Sequence, residues 1–246
     1  MRPALHRPAL AVGAAATLLL TGCGGDSVEG TASPESSAAA SSSSPGEQEQ
    51  ATDLAAGLLP AEAFGPGASV TAVSPEQLAQ GGALAGGLAG DVQITPESCT
   101  GAVEGTQPQL DDFEDVAGVS ATSAASVTVE ILVRGGPTEG AAGQLAEAAA
   151  NCPEAQISSP QIGTATVTFA PVEVGDLGDG AAALQYTTSV TQPDGSVVTV
   201  PALVGTVEDD DRLLVLVSFA AGGAPDTAAF VALMEQAYQT QADALG

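Results

Sequence analysis

Residues 52–246 predict an α+β fold: an antiparallel sheet with helices packed on it, in a single domain after a disordered tether. Segments in which apolar residues alternate are interleaved with segments of helical spacing, in the order α-β-α-β-β-α-β-β-β-β-α. The later strands are joined by short connections, Gln192-Pro193-Asp194-Gly195 and Asp209-Asp210-Asp211, as in a meander of antiparallel neighbours.

Each element has its own signal. Thr52 to Leu59 places Leu54, Leu58 and Leu59 on one side of a short helix that ends before Pro60, because proline cannot continue it. After Gly65-Pro66-Gly67, Ala68 to Val73 alternates as a short strand. Pro96 to Cys99 opens another helix, with Thr95 as N-cap and proline at the first position, where its missing N–H has no helical partner to lose. Val116 to Thr122 and Val127 to Val133 pair as strands, the second with Val127, Val129, Ile131 and Val133 on one face. Gly135-Gly136-Pro137 ends it, and Ala141 to Ala150 forms a helix that delivers Cys152. Thr164 to Phe169, Ala182 to Val190 and Val197 to Val207 alternate, while Leu213 to Phe219 is apolar on both faces and is expected in the middle of the sheet. Asp226 caps a closing helix with Phe230, Leu233, Met234, Ala237 and Tyr238 in one apolar stripe. With no Trp and only 3% aromatic residues, Val, Leu, Ile and Ala must fill the core.

The start of the chain supplies an address. Arg2 and Arg7 precede an apolar run from Ala9 to Leu20, the order of a secretory signal. The run is too short for the roughly 20 residues that span a bilayer. Leu20-Thr21-Gly22-Cys23 resembles the lipobox of bacterial lipoprotein precursors. That resemblance implies a signal peptide over 1–22, lipid on Cys23, and a protein held at the extracytoplasmic face of the cell membrane. Residues 23–51 are rich in Ser, Gly, Ala and Glu and cannot bury enough apolar surface to offset the entropy of ordering. They form a linker with a reach of roughly 30 Å, leading to the domain at 52–246.

Charge and missing side chains exclude several function classes. The chain has 30 acidic and 4 basic residues, a net charge of −26, and loss of the signal segment with its two arginines moves this to −28. Nucleic acid is therefore not an expected partner, since a phosphate backbone needs a basic surface. His6 is the only histidine and leaves with the signal segment, and there is no lysine. Histidine-activated nucleophiles, Schiff-base lysines and histidine metal sites are thus impossible in the mature chain, and neither an enzyme nor a cofactor or resident metal is expected. A carboxylate-only hydrolase is the one catalytic alternative.

Cys99 and Cys152 remain as an even pair in an exported chain and are expected to form a disulfide. Closing that loop would stabilise the fold by about 4 kcal/mol. The alternative, a metal or redox pair, lacks Cys-x-x-Cys spacing. The acidic clusters Asp111 to Asp115 and Glu208 to Asp211 offer hard oxygen ligands for calcium but do not follow a calcium-loop spacing, and solvated turns explain them better. Gly81 to Gly90 is a glycine-rich loop without a phosphate-binding lysine. Arg134 and Arg212, each beside an apolar strand, suit either an ion pair or an anionic group.

Taken together, Leu58 to Gly65 (LLPAEAFG), Thr95-Pro96-Glu97-Ser98-Cys99, a strand pair, a helix running to Asn151-Cys152, further strands and a last helix resemble actinobacterial lipoproteins and kinase ectodomains of the PknH-like sensor type. The resemblance covers nearly all of residues 52–246. It implies an α+β sensor domain with a cleft for a small ligand and no catalytic residues. The sequence departs from that pattern by having one cysteine pair instead of two, and Ala149-Ala150-Asn151 where a tryptophan commonly precedes the second cysteine. The expected function is a lipid-anchored, non-catalytic ligand-binding or sensor-like domain. The alternative is a structural or partner-binding envelope protein. The ligand or envelope partner itself is not encoded in any motif.

Overall fold

The computed structural model describes residues 54–78, 92–104, 110–159, 163–192 and 194–246. It is an α+β fold built on a nine-stranded antiparallel sheet. The strands are β1 (Ser69–Ala72), β2 (Gln93–Thr95), β3 (Asp115–Thr122), β4 (Ser126–Arg134), β5 (Glu154–Ser159), β6 (Gly163–Val172), β7 (Gly180–Thr191), β8 (Val197–Asp209) and β9 (Arg212–Ala220). Their spatial order is β1-β3-β4-β9-β8-β7-β6-β5-β2. β7 to β9 form the expected meander, which β6 extends, and β9 lies between β4 and β8, with Leu213 to Leu216 buried on both faces. The helices on the sheet include α1 (Thr100–Glu104), α2 (Ala141–Asn151) and α3 (Thr227–Leu245).

Each face of the sheet has its own core. On one, Val133, Phe169, Leu184, Val204, Leu213 and Val215 pack beneath α1 and α2, with Leu145 and Ala149 of α2 and the cysteine pair in the same cluster. On the other, Leu132, Leu203, Val207, Leu214 and Leu216 meet Phe230, Met234 and Ala237 of α3, joined by Leu54 and Leu59 from the start of the domain. The stripe read for the last helix is thus its buried side, and the Asp226 carboxylate accepts a hydrogen bond from the Ala229 N–H at 3.0 Å. Gly205 of β8 lets α3 come close: a Cβ there would lie 2.6 Å from Met234 Sδ.

Several local expectations are corrected. Thr95 is not a helix cap. It ends β2, the Thr95–Pro96 bond is cis, and Pro96 leads into a single 3-10 turn at Glu97–Cys99 before α1. The three-residue strand β2 pairs with β5 and so takes Thr95 into the sheet. The first segment is one helical turn at residues 54–56, then a 3-10 turn at Ala61–Phe64; Thr52 lies outside the described residues. β2 and β5 were not expected. They sit at one edge of the sheet, paired to each other and to β6, with Ala155 and Ile157 in the core cluster and Ile94 packed against it; β5 (EAQISS) has only Ile157 as a large apolar residue. The glycine-rich stretch from Gly81 to Gly90 also lies outside the described residues.

Candidate functional site

Most residues singled out by sequence have structural partners. Cys99 and Cys152 are disulfide-bonded, Cα to Cα 5.3 Å, and both are buried. The bond ties the turn before α1 to the end of α2. Arg134 pairs with Asp115 at 2.7 Å and Arg212 with Asp209. The two arginines face each other across β4 and β9 at one end of the sheet. Within the acidic clusters, Asp115 and Asp209 are these ion-pair partners. Glu208 caps α2 from a distant strand, its carboxylate accepting from the Gly140 N–H at 3.0 Å and from the Ala142 N–H. It takes the place of a local cap, for Gly140 has no side chain to accept these orphan donors. Among the described residues, no three His, Cys, Asp or Glu side chains gather as a metal site would require, and no helix is long and apolar enough to cross a membrane. Cys23, the expected lipidation residue, lies outside the described residues.

A different surface stands out at the other end of the sheet. β7 and β8 run past the end of β9: β8 pairs with β9 only from Ala202 onward, whereas Val197 to Pro201 pair with β7 alone. β9 ends at Ala220, and Ala221 donates to the Ala125 carbonyl beside β4. Pro201 marks the parting, a position where a missing N–H costs least in a ladder. The hairpin is closed by a turn in which the Asp194 carboxylate accepts from the N–H and hydroxyl of Ser196, bonds that hold its pKa below the usual value.

Residues opposite one another in an antiparallel sheet share a face, so the register assigns each side chain at this end. One row runs Val127, Phe219, Ala202, Tyr186, and the next Val129, Val217, Val204, Leu184. Where β9 has ended, Val200 lies opposite Thr188 and Val198 opposite Val190 on that same face. This is the face that carries α2 and the disulfide further along. The other face is polar here: Thr128 and Ser218 share a hydrogen bond of 3.0 Å, and Ser189 and Thr199 one of 3.2 Å.

The result is an apolar strip that emerges from beneath α2 without a charged side chain in it. Val127, Val198 and Val200 are 37%, 42% and 44% exposed, and they are three of the four exposed large hydrophobic residues among the described ones. Val197, the fourth at 60%, points to the opposite face. Ala202 lies between Tyr186 and Phe219 in register and is fully buried, a small residue at the floor of the strip. Burial pushes the Tyr186 phenol up to about 12, so it stays neutral at any physiological pH. Sequence reading assigned the β4 alternation to one face but missed the strip, although Val197-Val198-Thr199-Val200 directly after the turn was its visible signal.

The second residue missed is Glu130, fully buried on β4 on the α3 side of the sheet. Its carboxylate accepts from the Leu59 N–H at 3.0 and 3.3 Å and so latches the start of the domain onto the sheet. Desolvation raises its pKa from 4.5 to about 7, against the opposing effect of the Leu59 hydrogen bond.

No protein-family model matches the chain, and no curated protein matches it. Among solved structures, the chain is similar to the extracellular domain of PknH from Mycobacterium tuberculosis, with TM-score 0.44 and 11% identity over 77% of this chain and 96% of that one. It is also similar to an uncharacterized protein from Mycobacterium smegmatis, with TM-score 0.42 and 14% identity over 72% of this chain and 90% of that one.

Proposed function

We propose that this chain is a non-catalytic, sensor-like binding module, held at the extracytoplasmic membrane face by lipid on Cys23, that takes a small ligand on the apolar strip. The observation that carries this reading is the strip itself: an uncharged apolar surface in a chain of net charge −26, with its valines left exposed. Exposed apolar side chains that adjoin one another are candidates for a contact surface. The mature chain's lack of histidine and lysine supports a binding role over a catalytic one. The strip has no carboxylate, which also weighs against a carboxylate-based hydrolase acting there.

The size of the strip favours a small ligand over an envelope partner. Only the row through Ala202 spans β4 to β7, three inter-strand steps or about 14 Å, while at Val198 and Val200 neither β9 nor β4 flanks β8, over a length of about 14 Å along the strand. A surface within these limits, under about 200 Å², is well below the ~800 Å² that each partner of a stable protein complex buries.

Two measurements test the two halves of the reading. Cys23→Ala should leave the membrane fraction or accumulate unprocessed, because the lipid would be its only hold on the bilayer. Unchanged fractionation and unchanged intact mass would refute the anchor. Native mass spectrometry of protein drawn from its own envelope should show an added small mass, and a bare chain throughout would refute the binding role.

A further inference from the structure

We infer that Glu130 and residues 54–64 form a pH-sensitive latch: ionisation of the buried carboxylate releases this first segment of the domain from the sheet while the strands behind it stay paired. The inference goes beyond the binding role and does not depend on the strip or its occupant. It places a conformational device where the linker read from the sequence joins the domain. Release adds residues 54–64 to that linker.

The segment is lightly attached. The Gly57, Leu58, Ala63 and Gly65 N–H groups donate to carbonyls within the segment itself. Among the described residues, the Leu59 N–H to Glu130 is the one hydrogen bond that ties it to the sheet. Leu54, Gly57 and Leu59 are buried, while residues 60–62 are exposed. Gly57 is wedged between β4 and α3, since a Cβ there would lie 2.7 Å from Leu245 Cδ1 and 3.0 Å from Leu132 Cδ2. Strand β4, by contrast, is paired to β3 on one side and β9 on the other. Local opening begins where buried contacts are fewest, so a penalty on Glu130 lifts the segment before it parts the strands.

The surroundings supply the penalty. On the face that Glu130 shares, β3 presents Ala117, Val119 and Ala121, and β9 presents Leu214, Leu216 and Ser218. Thr128, next on β4, shares a hydrogen bond with Ser218, and β1 (SVTA) has no ionisable residue. Arg134 is four residues along β4, about 13 Å away, and pairs with Asp115; Arg212, opposite it, pairs with Asp209. In the covering elements the ionisable residues are Glu62 of the segment and Glu235, Tyr238 and Asp243 of α3. Glu62 and Asp243 are exposed, and Glu235 lies ten residues before Leu245, about 15 Å along the helix. None of these is a cation, so an ionised Glu130 is buried without a charge partner, which is costly. Burial raises its pKa from 4.5 to about 7 despite the Leu59 bond. The docked state therefore keeps a proton that a released, hydrated carboxylate gives up, and docking weakens as pH rises from about 4.5 to about 7 and levels off above.

The test uses the full chain with Cys23→Ala, exported so that the disulfide forms, and follows amide hydrogen exchange at pH 5 and pH 7.5, each rate divided by the intrinsic rate at that pH. Residues 54–64 should open about fiftyfold more at pH 7.5 than at pH 5. At both pH values they should open more than about tenfold as often as residues 213–219 of β9, which part only on unfolding. Glu130→Gln keeps an acceptor for the Leu59 N–H and should remove the difference between the two pH values. Leu54→Ala loosens the apolar part of the contact and should raise opening at both while keeping the fiftyfold ratio. A ratio near one in the parent chain, the same ratio in Glu130→Gln, or equal protection of residues 54–64 and 213–219 would overturn the inference. Should Glu130→Gln fail to fold, the ratios in the parent and in Leu54→Ala decide it: fiftyfold in both supports the latch, and a flat profile in either refutes it.

Discussion

Glu130 shows how one side chain can set the pH response of the whole domain. A carboxylate with an ordinary value of 4.5 that rises to about 7 on folding holds a proton in the folded state which the unfolded chain has already released. Between those two pH values the folded state binds more protons, so stability falls as pH rises through the window and levels off above about 7. The full difference is about 3 kcal/mol. Glu130→Gln keeps an acceptor for the Leu59 N–H and removes the charge. The variant should match the parent near pH 4 and be more stable than it at pH 8, which urea unfolding at the two pH values would measure. A parent and variant that differ by the same amount at both would show that the residue does not titrate in this window. Nothing local in the sequence marked Glu130: it sits in an alternating strand where a polar residue is expected to face water. Its burial is imposed by Leu54 and Leu59, some seventy residues earlier, which cover that stretch of β4.

At the scale of elements, what was legible was what local chemistry decides. The α3 stripe and its Asp226 cap, the paired strands β3 and β4, and the central place of β9 all follow from periodicity and composition within a few residues. What was illegible depends on distant partners. β5 is recruited by β2 and β6 without an apolar signature, and α2 is capped by Glu208 from a strand 66 to 68 residues away. The apolar strip exists because β7 and β8 are longer than the helix and strand beside them, a difference of lengths that no motif announces. The packing of α3 gives a prediction at this scale. Since a Cβ at Gly205 would lie 2.6 Å from Met234 Sδ and 3.2 Å from the Phe230 ring, Gly205→Ala must displace the helix or its side chains. A loss of roughly 1–3 kcal/mol is expected, with faster hydrogen exchange in α3 than in α2. An unchanged melting temperature would mean that α3 does not rest on β8 as described.

Across the whole molecule, polarity is distributed along the strands. One end of the sheet carries Arg134 and Arg212 with their carboxylate partners, and the cap of α2. The other end carries the uncharged strip and the β7–β8 hairpin, with Asp194 at its tip. The disulfide and α2 brace one face between these ends, and α3 with the latched residues 54–64 braces the other. In the proposed reading the strip end is the one that binds. The most direct test of that account is hydrogen exchange on protein drawn from its own envelope, before and after its bound material is stripped with an apolar adsorbent. Stripping should speed exchange at residues 186–190, 198–202 and 217–220 and leave α3 unchanged; identical exchange before and after, or a change confined to α3, would contradict the assignment of the strip as the binding surface.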